Sequence, residues 1–188
     1  MSSNAPLQGM RTVVLVGDGV EDLEYWVTVM RLREAGAEVT SVGISLDAVR
    51  GKNGLEARVD RLAADVQAGE VDGLVIPGGW APDKLRRYPA VTDLVRAVHD
   101  ARKPIGIICH GGLVAISAGI IERDHPATGS LGIRDDLVNA GATWVDEPAF
   151  RDGNLVWGRV VADIPDFNRE LVHALVEAAA ARLAPAAA

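Results

Sequence analysis

Short apolar runs rich in β-branched residues alternate along this chain with stretches whose apolar residues return every three to four positions. "TVVLVG" (Thr12–Gly17) reads as a buried parallel strand. The next stretch, "DGVEDLEYWVTVMRLREAG", predicts a helix with Leu23, Trp26, Val27 and Met30 on its apolar face and Gly36 at its stop. "EVTSVGI" predicts a second strand, and "GKNGLEARVD" a small β excursion turning at Asn53-Gly54. A third strand, "DGLVIPGG", ends in Pro-Gly-Gly. "YPAVTDLVRAVHDAR" sets Val91, Leu94, Val95 and Val98 on one helical face. "PIGIIC" is a fourth strand, "HGGLVAISAG" a short helix, and "GIRDDLVNAG" another short helix ending at Gly141. "TWV" and "NLVWGRV" are strand candidates. A helix from Ile164 to Leu183 follows, with Phe167, Leu171, Leu175 and Leu183 as its stripe.

Strands that alternate with helices imply βαβ units, hence an α/β fold with a mostly parallel sheet and helices on both faces. There is no internal repeat, low-complexity linker or charge block, so residues 11–183 are expected to form one domain. Residues 1–10 and 184–188 are expected to be flexible tails. In such sheets ligands bind beyond the carboxyl ends of the strands. "GDGVED", "PGGWAPD" and "CHGG" all fall there, so they are expected to meet in one cleft.

Composition narrows the function. The 188 residues are 48% hydrophobic and 24% charged, with a formal net charge of −7. Nucleic acid and anionic membrane surfaces call for the opposite sign. No apolar run reaches the roughly 20 residues of a membrane helix, and "MSSNAPLQG" has no signal-peptide pattern. "GDGVED" is not a dinucleotide fingerprint and "PGGWAPDK" is not a phosphate loop, so no cofactor is implied. The four histidines lack metal-ligand spacing, so no metal is expected. His99 is expected to face solvent, and His173 with Glu177 reads as an i,i+4 helix contact. A single cysteine forms no internal disulfide, which points to a reducing cytoplasm.

That cysteine is the strongest chemical signal. Cys109 stands where "PIGII" hands over to a helix, among Gly106, Gly111 and Gly112. Strand, tight turn and helix make a nucleophile elbow, with the thiol facing a helix N-terminus that should lower its pKa. The N–H of His110 and one from the Gly78-Gly79 turn are candidate oxyanion donors. The competing reading makes Cys109 a small core residue and His110 a surface histidine.

Six segments in order resemble the ThiJ/PfpI superfamily, and its PfpI-type intracellular proteases in particular. They are "GVEDLE", "GKNG", "VDGLVIPGGWAPDKLR", "KPIGIICHGGLVAISAG", "GIRDDLVNAGATWVDE" and "DGNLVWGRVVADIPDF", spanning about Thr12 to Leu183. The resemblance implies a flavodoxin-like three-layer sandwich related to class I glutamine amidotransferases. It makes Cys109 the nucleophile, His110 its following histidine, and Gly78 and Gly79 the oxyanion turn. Glu21 matches the family glutamate that reaches the sulfur. Asp83 falls where PfpI-type proteins carry a glutamate that reaches the histidine of a neighbouring subunit, which implies a homodimer or higher homo-oligomer. Taken alone, Asp83 reads as a helix N-cap. This chain departs from the pattern at Gly112, where a proline is common, and near Ser130, where a tyrosine is common. Trp80 and Trp157 are bulky additions expected to narrow the pocket.

The resemblance implies attack by Cys109 on a carbonyl or amide of a small molecule or short peptide, in glyoxalase, deglycase or peptidase chemistry. Two alternatives stand beside it. One is a redox sensor or chaperone with an oxidisable Cys109. The other, ranked lower, is isonitrile hydration.

Overall fold

In the computed structural model, which describes residues 5–183, a seven-stranded sheet organises the chain. Its strands are β1 (Arg11–Leu15), β2 (Glu38–Gly43), β3 (Arg61–Leu62), β4 (Gly73–Ile76), β5 (Ile105–Ile108), β6 (Ala149–Asp152) and β7 (Leu155–Gly158). They lie in the order β6-β7-β5-β4-β1-β2-β3. All pairings are parallel except that of β6 with β7, where Phe150 faces Trp157 and Asp152 faces Leu155. The central strands β4, β5 and β7 are buried along their whole length. That burial explains their continuous apolar sequences, since a parallel sheet covered on both faces has no solvent side to alternate toward.

Helices α1 (Asp22–Glu34) and α6 (Ile164–Leu183) pack together on one face. Helices α2 (Ala81–Leu85), α3 (Pro89–Asp100), α4 (Gly112–Ala118) and α5 (Arg134–Asn139) form the other layer. Helix α3 buries the four residues its spacing singles out, Val91, Leu94, Val95 and Val98. The fold is thus the flavodoxin-like α/β sandwich. The strand order runs outward from β1 toward β2 on one side and toward β4 on the other, which creates the switch point where such folds bind ligands.

Several expectations are corrected. The start of the domain is not a free tail, because Leu7 and Met10 are buried and the Leu7 N–H donates to the Ala35 carbonyl. Residues 1–4 and 184–188 lie outside the described residues. Helix α1 is rotated from the predicted phase. Leu23, Val27 and Met30 face outward, Met30 being 61% exposed, while Glu24, Tyr25, Thr28, Val29 and Leu32 face the sheet. Thr143–Trp144 pairs with Pro126–Ala127 in a separate two-stranded piece. The edge strand β6 was not evident from the sequence pattern.

Candidate active site

Three loops meet at the carboxyl ends of β1, β4 and β5. The Trp80 N–H donates to the Gly19 carbonyl at 2.7 Å, and the Glu21 N–H donates to Gly78 at 3.1 Å. Cys109 adopts φ +58°, a left-handed conformation that costs a non-glycine residue free energy. Its surroundings fix that turn. The Ser130 N–H donates to the Cys109 carbonyl at 3.3 Å. A Cβ at Gly111 would lie 2.3 Å from the Ile76 carbonyl oxygen, so only glycine lets the chain pass. The elbow is therefore formed as expected. The ring of His110 turns back to the cysteine, with Nδ1 3.3 Å from Sγ. Burial, with Lys52 nearby, moves His110 below its ordinary pKa, so the ring is neutral near pH 7.

The carboxyl beside the sulfur belongs to Glu24, not Glu21. Glu24 is fully buried, and its Oε2 accepts the Gly78 N–H at 2.7 Å. Its Oε1 is buried without a well-aligned partner, and the Cys109 thiol is the neighbouring group placed to supply a proton. Burial pushes the Glu24 carboxyl up to about 7. Because the Gly78 N–H is committed to Glu24, it is not a free oxyanion donor. The N–H groups of Gly79 and His110 are near enough to the sulfur to pull its pKa down.

The expected lowering of the thiol pKa is also corrected. Burial, then the charge of Glu24 and its hydrogen bond, push Cys109 up to about 12, against the smaller pull of the two N–H groups. A neutral thiol next to a carboxyl that titrates near 7 forms a pair that can pass a proton across a short gap.

Glu21 has a different task. Its Oε2 pairs with Lys52 Nζ at 2.7 Å, and its Oε1 accepts from Asn53 Nδ2 at 3.0 Å. Asp22 accepts the backbone N–H groups of Asn53 and Leu55. Together these two carboxylates hold the "GKNG" loop against α1, which brings Lys52 to the pocket. Lys52 was not picked out from the sequence. The pair with Glu21 raises its pKa, so it carries a positive charge at the pocket wall.

Glu21, Lys52, Gly79, Trp80, Cys109 and His110 line an open pocket of about 330 Å³, with Ser130 and residues 160–162 on the far side. Trp80 is 64% exposed and packs over Gly19 at the mouth. Trp157 does not narrow this pocket, because it is buried under the sheet. Asp83 is exposed on α2 and pairs with Arg87. It is the third residue of α2, whose N-cap is Trp80, so the N-cap reading fails. Within one chain Asp83 is not among the hydrogen-bond or ion-pair partners of His110. His99 is also largely buried instead of facing solvent.

This fold, with a cysteine elbow at its switch point and a buried glutamate beside it, defines a class, and sequence comparison gives the family. The chain belongs to the DJ-1/PfpI family, whose model matches residues 10–174. It is similar to the deglycase PfpI of Pyrococcus furiosus, at 36% identity over 166 residues that cover 88% of this chain and 99% of the relative. It is also similar to YraA of Bacillus subtilis, named as a candidate cysteine protease, at 38% identity over 168 residues, 88% of this chain and 98% of the relative. Among solved structures, a two-domain protein from Anabaena variabilis with DJ-1/ThiJ/PfpI-like and ferritin-like domains superposes with a TM-score of 0.85 at 34% identity. That match covers 87% of this chain and 47% of the other. Among the described residues, no helix is long and apolar enough to cross a membrane.

Proposed function

We propose that the protein is a cysteine-dependent enzyme of the glyoxalase or deglycase kind, acting on small carbonyl compounds. The observation that carries this reading is the placement of the Cys109 thiol between the Glu24 carboxyl and the Gly79 and His110 N–H groups, at the floor of a pocket of about 330 Å³. That volume suits a small molecule. The Pyrococcus furiosus relative named a deglycase supports the same direction.

For an α-oxoaldehyde the steps follow from these groups. Sulfur adds to the aldehyde carbon, the C=O pair moves onto oxygen beside the two N–H groups, and the thiol proton passes by way of Glu24 to that oxygen. The product is a hemithioacetal. Glu24, or the neutral His110, then takes the proton on the former aldehyde carbon and returns a proton to the neighbouring carbon, while the hydroxyl proton of the first carbon passes to the neighbouring oxygen, so that the first carbon becomes the thioester C=O and the second bears the hydroxyl. The resulting thioester is hydrolysed by water to a 2-hydroxy acid, which frees the thiol. The net reaction adds one water and needs no oxidant. In an oligomer, Asp83 of a neighbouring copy is proposed to reach His110, which its own Asp83 does not contact.

Incubation with methylglyoxal, followed by chiral analysis of lactate, tests this reading. Wild type is expected to form one lactate enantiomer in excess and Cys109→Ala none. Equal rates from both proteins would remove Cys109 from the chemistry.

A further inference from the structure

Lys52 is held at the wall of the cysteine pocket by a platform that no step at Cys109 requires. The "GKNG" loop is pinned through backbone and side chains alike. The Gly51 N–H donates to the Leu55 carbonyl, and the Lys52 N–H donates to the Val20 carbonyl, both at 2.8 Å. Asp22 accepts the N–H groups of Asn53 and Leu55 at 2.6 and 2.7 Å. A Cβ at Gly51 would lie 2.4 Å from Asp22 Oδ1, so the backbone rests directly on that carboxylate. Lys52 thus extends from a fixed point, and Glu21 Oε2 holds its Nζ at 2.7 Å. The other oxygen of Glu21 is engaged by the Asn53 amide.

Burial makes the two partners unequal. The Glu21 side chain is 6% exposed and that of Lys52 39%, so the carboxylate is covered while the ammonium is open to the pocket. Among the described residues, Glu21 is the one ion-pair partner of Nζ, and an ammonium has three N–H donors, so two are left for a ligand. The remaining lining side chains carry no charge, His110 being neutral near pH 7, and Glu24 is fully buried. Lys52 is also within electrostatic reach of the reacting groups. Its charge lowers the pKa of His110, and a thiolate at Cys109 would raise its own.

From a fixed, partly exposed ammonium in a pocket whose carboxyl groups are covered, we infer that Lys52 anchors an acid group of the substrate. The substrate is an α-oxoaldehyde with a carboxylate at the end of a short apolar chain. Its aldehyde meets Cys109, its carboxylate accepts from Lys52 Nζ, and Val160, Val161 and Ala162 offer apolar surface to the methylenes between. This inference rests on the reading of Cys109 as the nucleophile. The acid group leaves the chemistry unchanged. One water adds, the aldehyde carbon is oxidised to a second carboxylate, the ketone carbon is reduced to a carbinol, and one proton is released.

The test compares 4,5-dioxopentanoate with its uncharged methyl ester, reading formation of the 2-hydroxy acid, with Cys109→Ala as the background. Wild type is expected to favour the acid by about tenfold in kcat/KM, the difference lying in KM. Lys52→Gln, whose amide still donates to Glu21 but carries no charge, should bring the ratio to about one, and Lys52→Arg should restore part of it. A ratio taken on one protein cancels any general effect of the substitution on the site. Higher salt should narrow the wild-type preference, a readout that needs no variant. A second arm needs no turnover. 4-Oxopentanoate, which has no aldehyde, should protect Cys109 from iodoacetamide at about tenfold lower concentration than its methyl ester does, and this advantage should vanish in Lys52→Gln. A wild-type turnover ratio near one, or a preference that survives in Lys52→Gln, overturns the proposal while leaving the reaction at Cys109 in place. If neither aldehyde is turned over but the Lys52-dependent protection holds, the reaction falls and the acid anchor stands. If protection shows no preference either, both fall.

Discussion

Replacing Glu24 by Gln removes the negative charge beside the Cys109 thiol while leaving a planar group for the Gly78 N–H. The thiol stands at about 12 against an ordinary 9.0, a rise of about 3 units or about 4 kcal/mol in favour of the protonated form. Burial is the largest cause and stays in the variant, whereas the repulsion and hydrogen bond of Glu24 are lost. If those two together account for even one unit, the thiolate fraction at a fixed pH rises about tenfold. Alkylation of Cys109 by iodoacetamide at pH 8 should therefore be about tenfold faster in Glu24→Gln than in wild type. Turnover should move the other way and fall by about 10²- to 10⁴-fold, because the proton acceptor is gone. The wild-type rate should also rise with pH through about 7, as Glu24 ionises, and this inflection should vanish in the variant. Alkylation that is unchanged or slower in Glu24→Gln would refute the reasoning. It would mean that Glu24 already holds the proton and supports a resting thiolate.

The same carboxyl predicts a stability signature. Its folded pKa of about 7 lies above the ordinary 4.5, so the fold favours its protonated form; that contribution is present below about 4.5 and is lost as pH rises through about 7. The loss amounts to about 3 kcal/mol, or roughly 5–10 °C in Tm, and Glu24→Gln should not show it in parallel melts at pH 5 and pH 8. Gly78→Ala should lose activity and about 1–3 kcal/mol of stability, since its Cβ would sit 2.7 Å from the His110 nitrogen and 2.8 Å from both Cys109 Cβ and Glu24 Oε2. Asp83→Ala and Cys109→Ala proteins, each inactive alone, should regain activity when refolded together as mixed oligomers. A fully active Asp83→Ala protein would leave Asp83 with only its Arg87 ion pair.

The place of Cys109 in a tight turn between strand and helix was legible in sequence, because glycines frame it where an apolar run ends. The segments "GDGVED", "PGGW" and "CHGG" converge as their positions after β1, β4 and β5 require. The choice of glutamate was not legible, and helix α1 shows why. It carries two apolar sets at i, i+4 and i+7, one through Leu23, Val27 and Met30 and the other through Tyr25, Val29 and Leu32. The first set is the expected face, and the glutamate itself comes from the match of "GVEDLE" to the family motif, a segment that holds both Glu21 and Glu24. The second set, with β-branched and aromatic residues suited to packing on strands, turns Glu24 inward. The polar residues on that buried face, Glu24 and Thr28, disguised it as the outer one. The thiol's direction was misread for a related reason, since the helix N-terminus was visible in sequence and the depth of burial was not. Lys52 was hidden because its place depends on Glu21 and Asp22 holding a loop 30 residues downstream, on the order of distance that local patterns do not report.

The most direct test of the account is carbon-13 NMR of Glu24→Gln protein mixed with methylglyoxal labelled at the aldehyde carbon. Addition of sulfur should still occur while the later proton transfer is slow, so a hemithioacetal carbon bound to Cys109 should accumulate and be absent from Cys109→Ala. Lactate formation by wild type with no sulfur-bound carbon in either protein would contradict the claim that Cys109 attacks the carbonyl.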